Sequence, residues 1–304
     1  MTTRRMALSF LMGSLTLATT PLTAIAQSAD KLKVIATFSI LGDLVRSVGG
    51  DRVEVTTLVG PNGDAHVYSP TPADGRRLTE AKVVFSNGLK FEGWIDRLVK
   101  SSGTKAATVQ AAKGVKPLKS EDHGHDHHGE FDPHAWQSIA NAKIYVANIR
   151  DALVAADAAG KAAYEANAAE YLKKLDSLEA DVKRLVASIP AERRRIITSH
   201  DAFRYFEDAY EIEFIAPQGV STDSEASAKD VAKIIGQIKR EKITAIFVEN
   251  VSDPRLMERI AKETGARIGE RVFSDALSDP SGPAGTYIDM MRHNIRAFSS
   301  ALSS

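Results

Sequence analysis

Five of the chain's eight histidines fall within sixteen residues, Glu121 to Trp136 (EDHGHDHHGEFDPHAW). Imidazole is the commonest metal ligand among side chains, so the run points to metal chemistry. His123, His125, His127 and His128 share residues 121–130 with Glu121, Asp122, Asp126 and Glu130, and no apolar residue accompanies them. That composition predicts a disordered segment that binds metal weakly and with variable stoichiometry.

Three other histidines stand at the ends of expected elements. His66 lies in VGPNGDAHVYSPTPAD, after an apolar run and before a helix start marked by Thr71, Pro72 and Asp74. His134 follows Asp132 and Pro133, a good N-cap and first helical residue, so a helix is expected to open there. His200 closes RIITSH. Each alone would be an ordinary polar loop residue. Together they occupy positions where α/β sheets place their ligand crevice.

The chain has no cysteine, so a fourth ligand must be a carboxylate or water. Asp275, in RVFSDALSDPSG, is the best candidate. Glu249, ending ITAIFVEN, competes with it and suits equally a role behind a ligating imidazole. His293 falls off the apolar stripe of its helix and is assigned no role.

These residues need a scaffold. Apolar, β-rich runs at Leu32–Phe38, Val53–Val59, Lys82–Gly88, Arg195–His200, Ile243–Asn250 and Arg267–Ser274 alternate with helical patterns. The alternation predicts α/β architecture with mostly parallel sheets. Between the two strand groups, Tyr164, Ala168, Tyr171, Leu175, Leu178, Val182, Leu185 and Ile189 repeat at helical spacing. Gly160 precedes this helix and Pro190 stops it. Its length predicts a rigid connector between two βα lobes. The division is 27–158 for the first lobe, 159–190 for the linking helix and 191–304 for the second lobe. A last helix carries Ile288, Met291, Ile295, Phe298 and Leu302 on one stripe.

Residues 1–26 read as a signal peptide: Arg4 and Arg5, an apolar Met6–Leu22, and Ala24-Ile25-Ala26 with cleavage after Ala26. The expected destination is the periplasm, and without cysteine neither disulfides nor lipidation after cleavage are expected. The 39 basic and 39 acidic residues balance, which removes the basic field of a nucleic-acid binder. Beyond the first thirty residues no run reaches the roughly 18 apolar residues of a membrane span.

The segments GDAHVYSPTPAD, FDPHAW, TSHDAFRYF, PQGVSTDSEAS and FSDALSDPSGPAGTY resemble, in order over residues 31–304, the metal-binding receptors of bacterial ABC transporters. These are the cluster A-I substrate-binding proteins, and the likeness is greatest to zinc-specific members of the ZnuA and AztC type. The resemblance implies one tight Zn2+ in the cleft between the two lobes, held by His66, His134, His200 and Asp275. Manganese-type relatives carry glutamate at the third position, where this chain has His200. Some zinc members recruit a glutamate before the first histidine, where this chain has Ala65. The implied function is high-affinity capture of Zn2+ and delivery to an ABC-type membrane permease, without enzymatic activity. A periplasmic zinc chaperone is a candidate donor, and the receptor is expected to be a monomer. The rival reading is a zinc-dependent hydrolase with a site of three histidines and one aspartate, and Glu249 as general base.

Overall fold

The computed structural model describes residues 30–120 and 130–303. The leader read at 1–26 and the histidines His123, His125, His127 and His128 lie outside the described residues.

The described chain forms two α/β lobes, each built on a four-stranded parallel sheet. In the first, β1 (Leu32–Phe38), β2 (Val53–Val59), β3 (Val83–Ser86) and β4 (Ala107–Gln110) lie in the order β2-β1-β3-β4. Val34 sits opposite Val55 on one side and Val83 on the other. Helices α1 (Ser39–Gly49), α2 (Pro72–Glu80) and α3 (Ile95–Ser102) follow β1, β2 and β3. The second sheet repeats the plan: β5 (Arg195–Ile197), β6 (Glu213–Ile215), β7 (Ala245–Ile246) and β8 (Arg267–Ile268) lie in the order β6-β5-β7-β8. Its helices are α6 (Arg204–Tyr210), α7 (Ala228–Glu241) and α8 (Arg255–Thr264). In such sheets ligands gather beyond the carboxyl ends of strands, where the strand order reverses. In the second sheet that point lies between β5 and β7, the strands that lead into His200 and Glu249.

Between the sheets run α4 (Ile139–Ala156) and α5 (Lys161–Ala187), and α9 (Tyr287–Ser303) closes the chain. The 27 residues of α5 span about 40 Å. Tyr164, Ala168, Tyr171, Leu175, Leu178 and Val182 are buried along it, packed against α1, α4 and α9. One apolar core thus runs from Val34 through α5 to Leu302, drawing on both lobes. A second, smaller core lies under α7 and α8, around Ile197, Ile246, Met257 and Ile260. At the head of α5, Asp157 accepts from Arg52 and from the Tyr164 hydroxyl at 2.8 Å each. A side chain on Gly160 would run into all three groups.

Several expected boundaries move. The ladders of the second lobe are shorter than the apolar runs predict, ending at Ile197, Ile246 and Ile268. Past those points only single bridges continue, His200 to Gln218 and Glu249 to Val272. The chain there leaves the sheet to serve the site: the His200 amide donates to the Glu249 carboxylate at 2.9 Å. Strands β4 and β6 carry too little apolar alternation to be recognised in the sequence. The helix expected at Asp132 instead begins at Ile139, after a 3-10 turn at Ala135–Gln137.

Candidate metal centre

His66 sits in the loop between β2 and α2. Its downstream side is fixed by a capping box, in which Thr71 and Asp74 exchange side-chain and backbone hydrogen bonds. The Tyr68 hydroxyl donates to the same Asp74 at 2.8 Å. Its upstream side is fixed by Asp64, whose Oδ1 accepts the His66 amide at 2.9 Å.

Asp132 does the same for His134, accepting its amide at 2.8 Å. The same oxygen also lies 2.8 Å from the ring Nδ1. An Asp accepting from the amide two residues on closes a turn, not a helix N-terminus. That use of Asp132 is why the helix starts later. Asn87 Nδ2 donates to Pro133 O at 2.8 Å, and the Tyr205 hydroxyl to Asp132 O at 3.1 Å, so the segment is held from both lobes.

Asp275 lies in the loop between β8 and α9. Buried Asn294 clamps the backbone just before it, accepting from Phe273 N at 3.0 Å and donating to Phe273 O at 2.7 Å. Trp136 Nε1 and Gln137 Nε2 both donate to Ser274 O at 2.9 Å, tying the loop to the other lobe.

The structure brings His66, His134, His200 and Asp275 together, with one ligand atom of each lying within 4.8 Å of the others. The His66 and His134 Nε2 atoms are 3.3 Å apart. Asp275 Oδ2 lies 3.2 Å from Nε2 of both His66 and His200, and Oδ1 lies 3.5 Å from His134 Nε2. A tetrahedral site with metal–ligand bonds of about 2.0–2.1 Å has edges of roughly 3.3 Å. His134, His200 and Asp275 are fully buried, and the His66 side chain is 5% exposed. Neither Asp275 oxygen nor His200 Nε2 makes a well-aligned hydrogen bond.

Glu249, the rival fourth ligand, stands elsewhere. Its Oε2 contacts His200 Nδ1, on the far side of the ring from Asp275, and its Oε1 takes the His200 amide. His134 and His200 therefore each have a carboxylate behind them, the arrangement that orients ligating imidazoles. His66 has instead the edge of Phe91, 4.6 Å between ring centres. His293, on α9, packs on Phe273 and lies 2.8 Å from Arg271 O, apart from the cluster.

Electrostatics follow from this geometry. Burial disfavours charge on His134, but Asp275 and Asp132 raise its pKa to about 9. Burial opposes charge on His200 too, and Glu249 with Asp275 still lifts it well above the usual range. Burial would raise the Asp275 carboxyl; the two imidazoles hold it well below the ordinary value. His66 is lowered, chiefly by burial. Positive charge is thus favoured at this point, and a divalent cation supplies it while leaving the imidazoles neutral.

A cavity of about 540 Å³ adjoins His66, lined by Phe91, Gln110, Phe131, Val220 and Asp223 among others. Sequence reasoning did not assign Asp64, Phe91, Gln137 or Asn294, and it took Asp132 for a cap. The Asp-x-His spacing that His66 and His134 share was the signal available for the two aspartates.

Two α/β lobes over a buried three-histidine, one-carboxylate cluster give the arrangement that a receptor for a small cation needs. Comparison with known proteins agrees. The family described as zinc-uptake complex component A, periplasmic, matches residues 34–301. The manganese-binding lipoprotein MntA of Halalkalibacterium halodurans is 34% identical, over 92% of each chain. The periplasmic zinc-binding protein TroA of Treponema pallidum superposes with a TM-score of 0.84 at 31% identity, over 90% of this chain and all of that one. A manganese-bound periplasmic metal-binding protein of Candidatus Liberibacter asiaticus gives 0.81 at 30% identity, with the same coverage. The chain belongs to this family of metal-binding substrate-binding proteins of ABC transporters.

Proposed function

We propose that the chain is a zinc receptor: it captures Zn2+ outside the cytoplasm at His66, His134, His200 and Asp275 and releases it to an ABC-type permease for import. The observation that carries this reading is the convergence of three imidazole nitrogens and one carboxylate. That donor set suits zinc, whereas manganese and magnesium favour oxygen-rich shells. Relatives carry both metals in their names, and the donor set is what favours zinc in this reading. The lobes 27–158 and 191–304 each supply two ligands, with 159–190 between them.

Glu249 is committed to the His200 amide and ring, which leaves the hydrolase alternative without its base and favours a receptor with no enzymatic activity. His123, His125, His127 and His128 would add weaker, accessory zinc binding. The leader 1–26 would direct export to the periplasm and be removed after Ala26. With no cysteine in the chain, the mature protein would be a free monomer, loaded directly or by a periplasmic chaperone. Among the described residues no helix is long and apolar enough to cross a membrane.

The test is growth of cells lacking the protein. Growth should fail in zinc-depleted medium and be restored by zinc, not manganese. A defect that manganese alone restores overturns the zinc reading.

A further inference from the structure

Asp64 and Asp132 each accept the amide of the histidine two residues on, but their remaining contacts diverge. Asp132 turns back on its own histidine ring. Asp64 reaches across the cleft, where its Oδ2 accepts the Thr222 hydroxyl at 2.5 Å.

Thr222 belongs to the segment between β6 and α7. Gln218 organises that segment, its Nε2 donating to Ser224 O at 2.6 Å and to Thr222 O at 3.3 Å. Gln218 also bridges to His200, and its carbonyl accepts the Asp201 amide at 3.2 Å. A continuous path therefore runs from the His200 segment through Gln218 and Thr222 to Asp64 and the His66 backbone. Val220, Ser221 and Asp223 of the same segment line the cavity beside His66. Two residues upstream of Asp64 the same loop is tied as well: Asn62 N donates to Leu277 O at 2.9 Å, and Asn250 Nδ2 to Asn62 Oδ1 at 3.2 Å.

We propose that the Asp64–Thr222 hydrogen bond is a clasp that holds the His66 loop to the second lobe and sets how long the metal stays bound. Asp64 and Thr222 are positioning residues: neither is among the four clustered ligands, and each acts through the backbone of a neighbouring loop. The proposal rests on reading His66 and His200 as zinc ligands. Its physical basis is that, among the described residues, no carboxylate stands behind the His66 ring as Asp132 and Glu249 do behind the other two. The spacing of His66 from the other ligands therefore depends on its backbone, which Asp64 ties to the Thr222 segment. Opening the clasp frees the most exposed of the four side chains towards the cavity, the direction in which a cation can leave. A hydrogen bond to an ionised carboxylate is among the stronger ones in proteins, enough to slow such an opening measurably.

The test is stopped-flow release of Zn2+ from the loaded protein into excess chelator. Thr222→Val should speed release about tenfold, the scale of one hydrogen bond to a charged group. Thr222→Ser, which keeps the hydroxyl, should restore the parental rate, and the melting midpoint of the metal-free protein should be unchanged in both. Asp64→Ala should also speed release, and adding Thr222→Val to it should have no further effect, because both remove the same bond. Release at the parental rate in Thr222→Val, equal rates for the Ser and Val variants, or multiplying effects in the double variant would each overturn the clasp. His66→Ala separates the two ideas. If it keeps parental zinc affinity, the ligand assignment itself fails; if it loses zinc while Thr222→Val is silent, only the clasp fails.

Discussion

The segments Asp64-Ala65-His66 and Asp132-Pro133-His134 share a local device and differ in everything beyond it. In both, the aspartate accepts the histidine amide, at 2.9 and 2.8 Å. Around His134 the device closes on itself. The ring is buried, backed by Asp132, and flanked by Trp136 with 5.3 Å between ring centres. Around His66 it stays open. Its ring meets Asp275 on the cluster side but, among the described residues, has an aromatic neighbour and no second carboxylate behind it; it borders a cavity, and Asp64 spends its second oxygen on the other lobe. A site that must both hold a cation and give it up can divide those demands, with one histidine anchored by its own aspartate and the other held by a bond that can break.

That contrast can be broken most directly by removing each ring. His134→Ala should abolish tight zinc binding, with a loss beyond the hundredfold that bounds outer-partner changes, because it also strands buried Asp132. His66→Ala should lose less affinity. Competition against a chromophoric chelator measures both, and equal losses would erase the distinction between the two segments.

The next effect comes from the carboxylate behind the ring. Asp132→Asn keeps the volume but weakens the hold on His134 Nδ1, and affinity should fall about 10- to 100-fold, as outer partners of metal ligands generally show. A value within about threefold of the parent would mean that burial alone orients the ring.

The smallest effect concerns the support downstream of His66. Asp74 caps α2 and takes the Tyr68 and Thr71 hydroxyls. Asp74→Ala should lower stability by about 1–2 kcal/mol at pH 7, read from urea unfolding of the metal-free protein. Burial would raise the Asp74 carboxyl, but the hydrogen bonds from Thr71 and Tyr68 and the nearby Arg77 bring it below 3.8. A depressed carboxylate stabilises the fold where it is ionised. The gap between parent and variant should therefore persist from neutral pH down to about 4 and narrow below it. A gap that stays constant to pH 3 would assign the loss to packing.

How much of this was legible beforehand depends on how local each feature is. The α5 stripe was readable because burial on one face of a helix must repeat every three or four residues, and Tyr164 through Val182 do so. The short strands of the second lobe were overextended, since an apolar run reports burial and not where a hydrogen-bonded ladder stops. Val272 and Phe273 are buried but lie beyond β8, Val272 bridged to Glu249 and Phe273 held by Asn294. The helix start at Asp132 was misplaced for a related reason: an aspartate before proline fits both a cap and a turn, and the choice depended on the imidazole within reach.

What the sequence determined by itself is what neighbouring residues enforce: the alternation that makes two parallel sheets, the amphipathic helix between them, and an Asp-x-His turn presenting a histidine in each of two loops. What only the tertiary structure decided is where the second oxygen of each aspartate goes and which carboxylate joins the histidines. Glu249 and Asp275 both follow strands of the second lobe, and nothing within either segment tells them apart. The separation arises because Trp136 and Gln137, distant in the chain, fix the Asp275 loop against the first lobe while Asn294 clamps its backbone, and β7, paired beside β5, leaves Glu249 behind the ring of His200. Such choices rest on contacts between residues far apart in sequence, and those contacts exist only once the lobes have closed on one another.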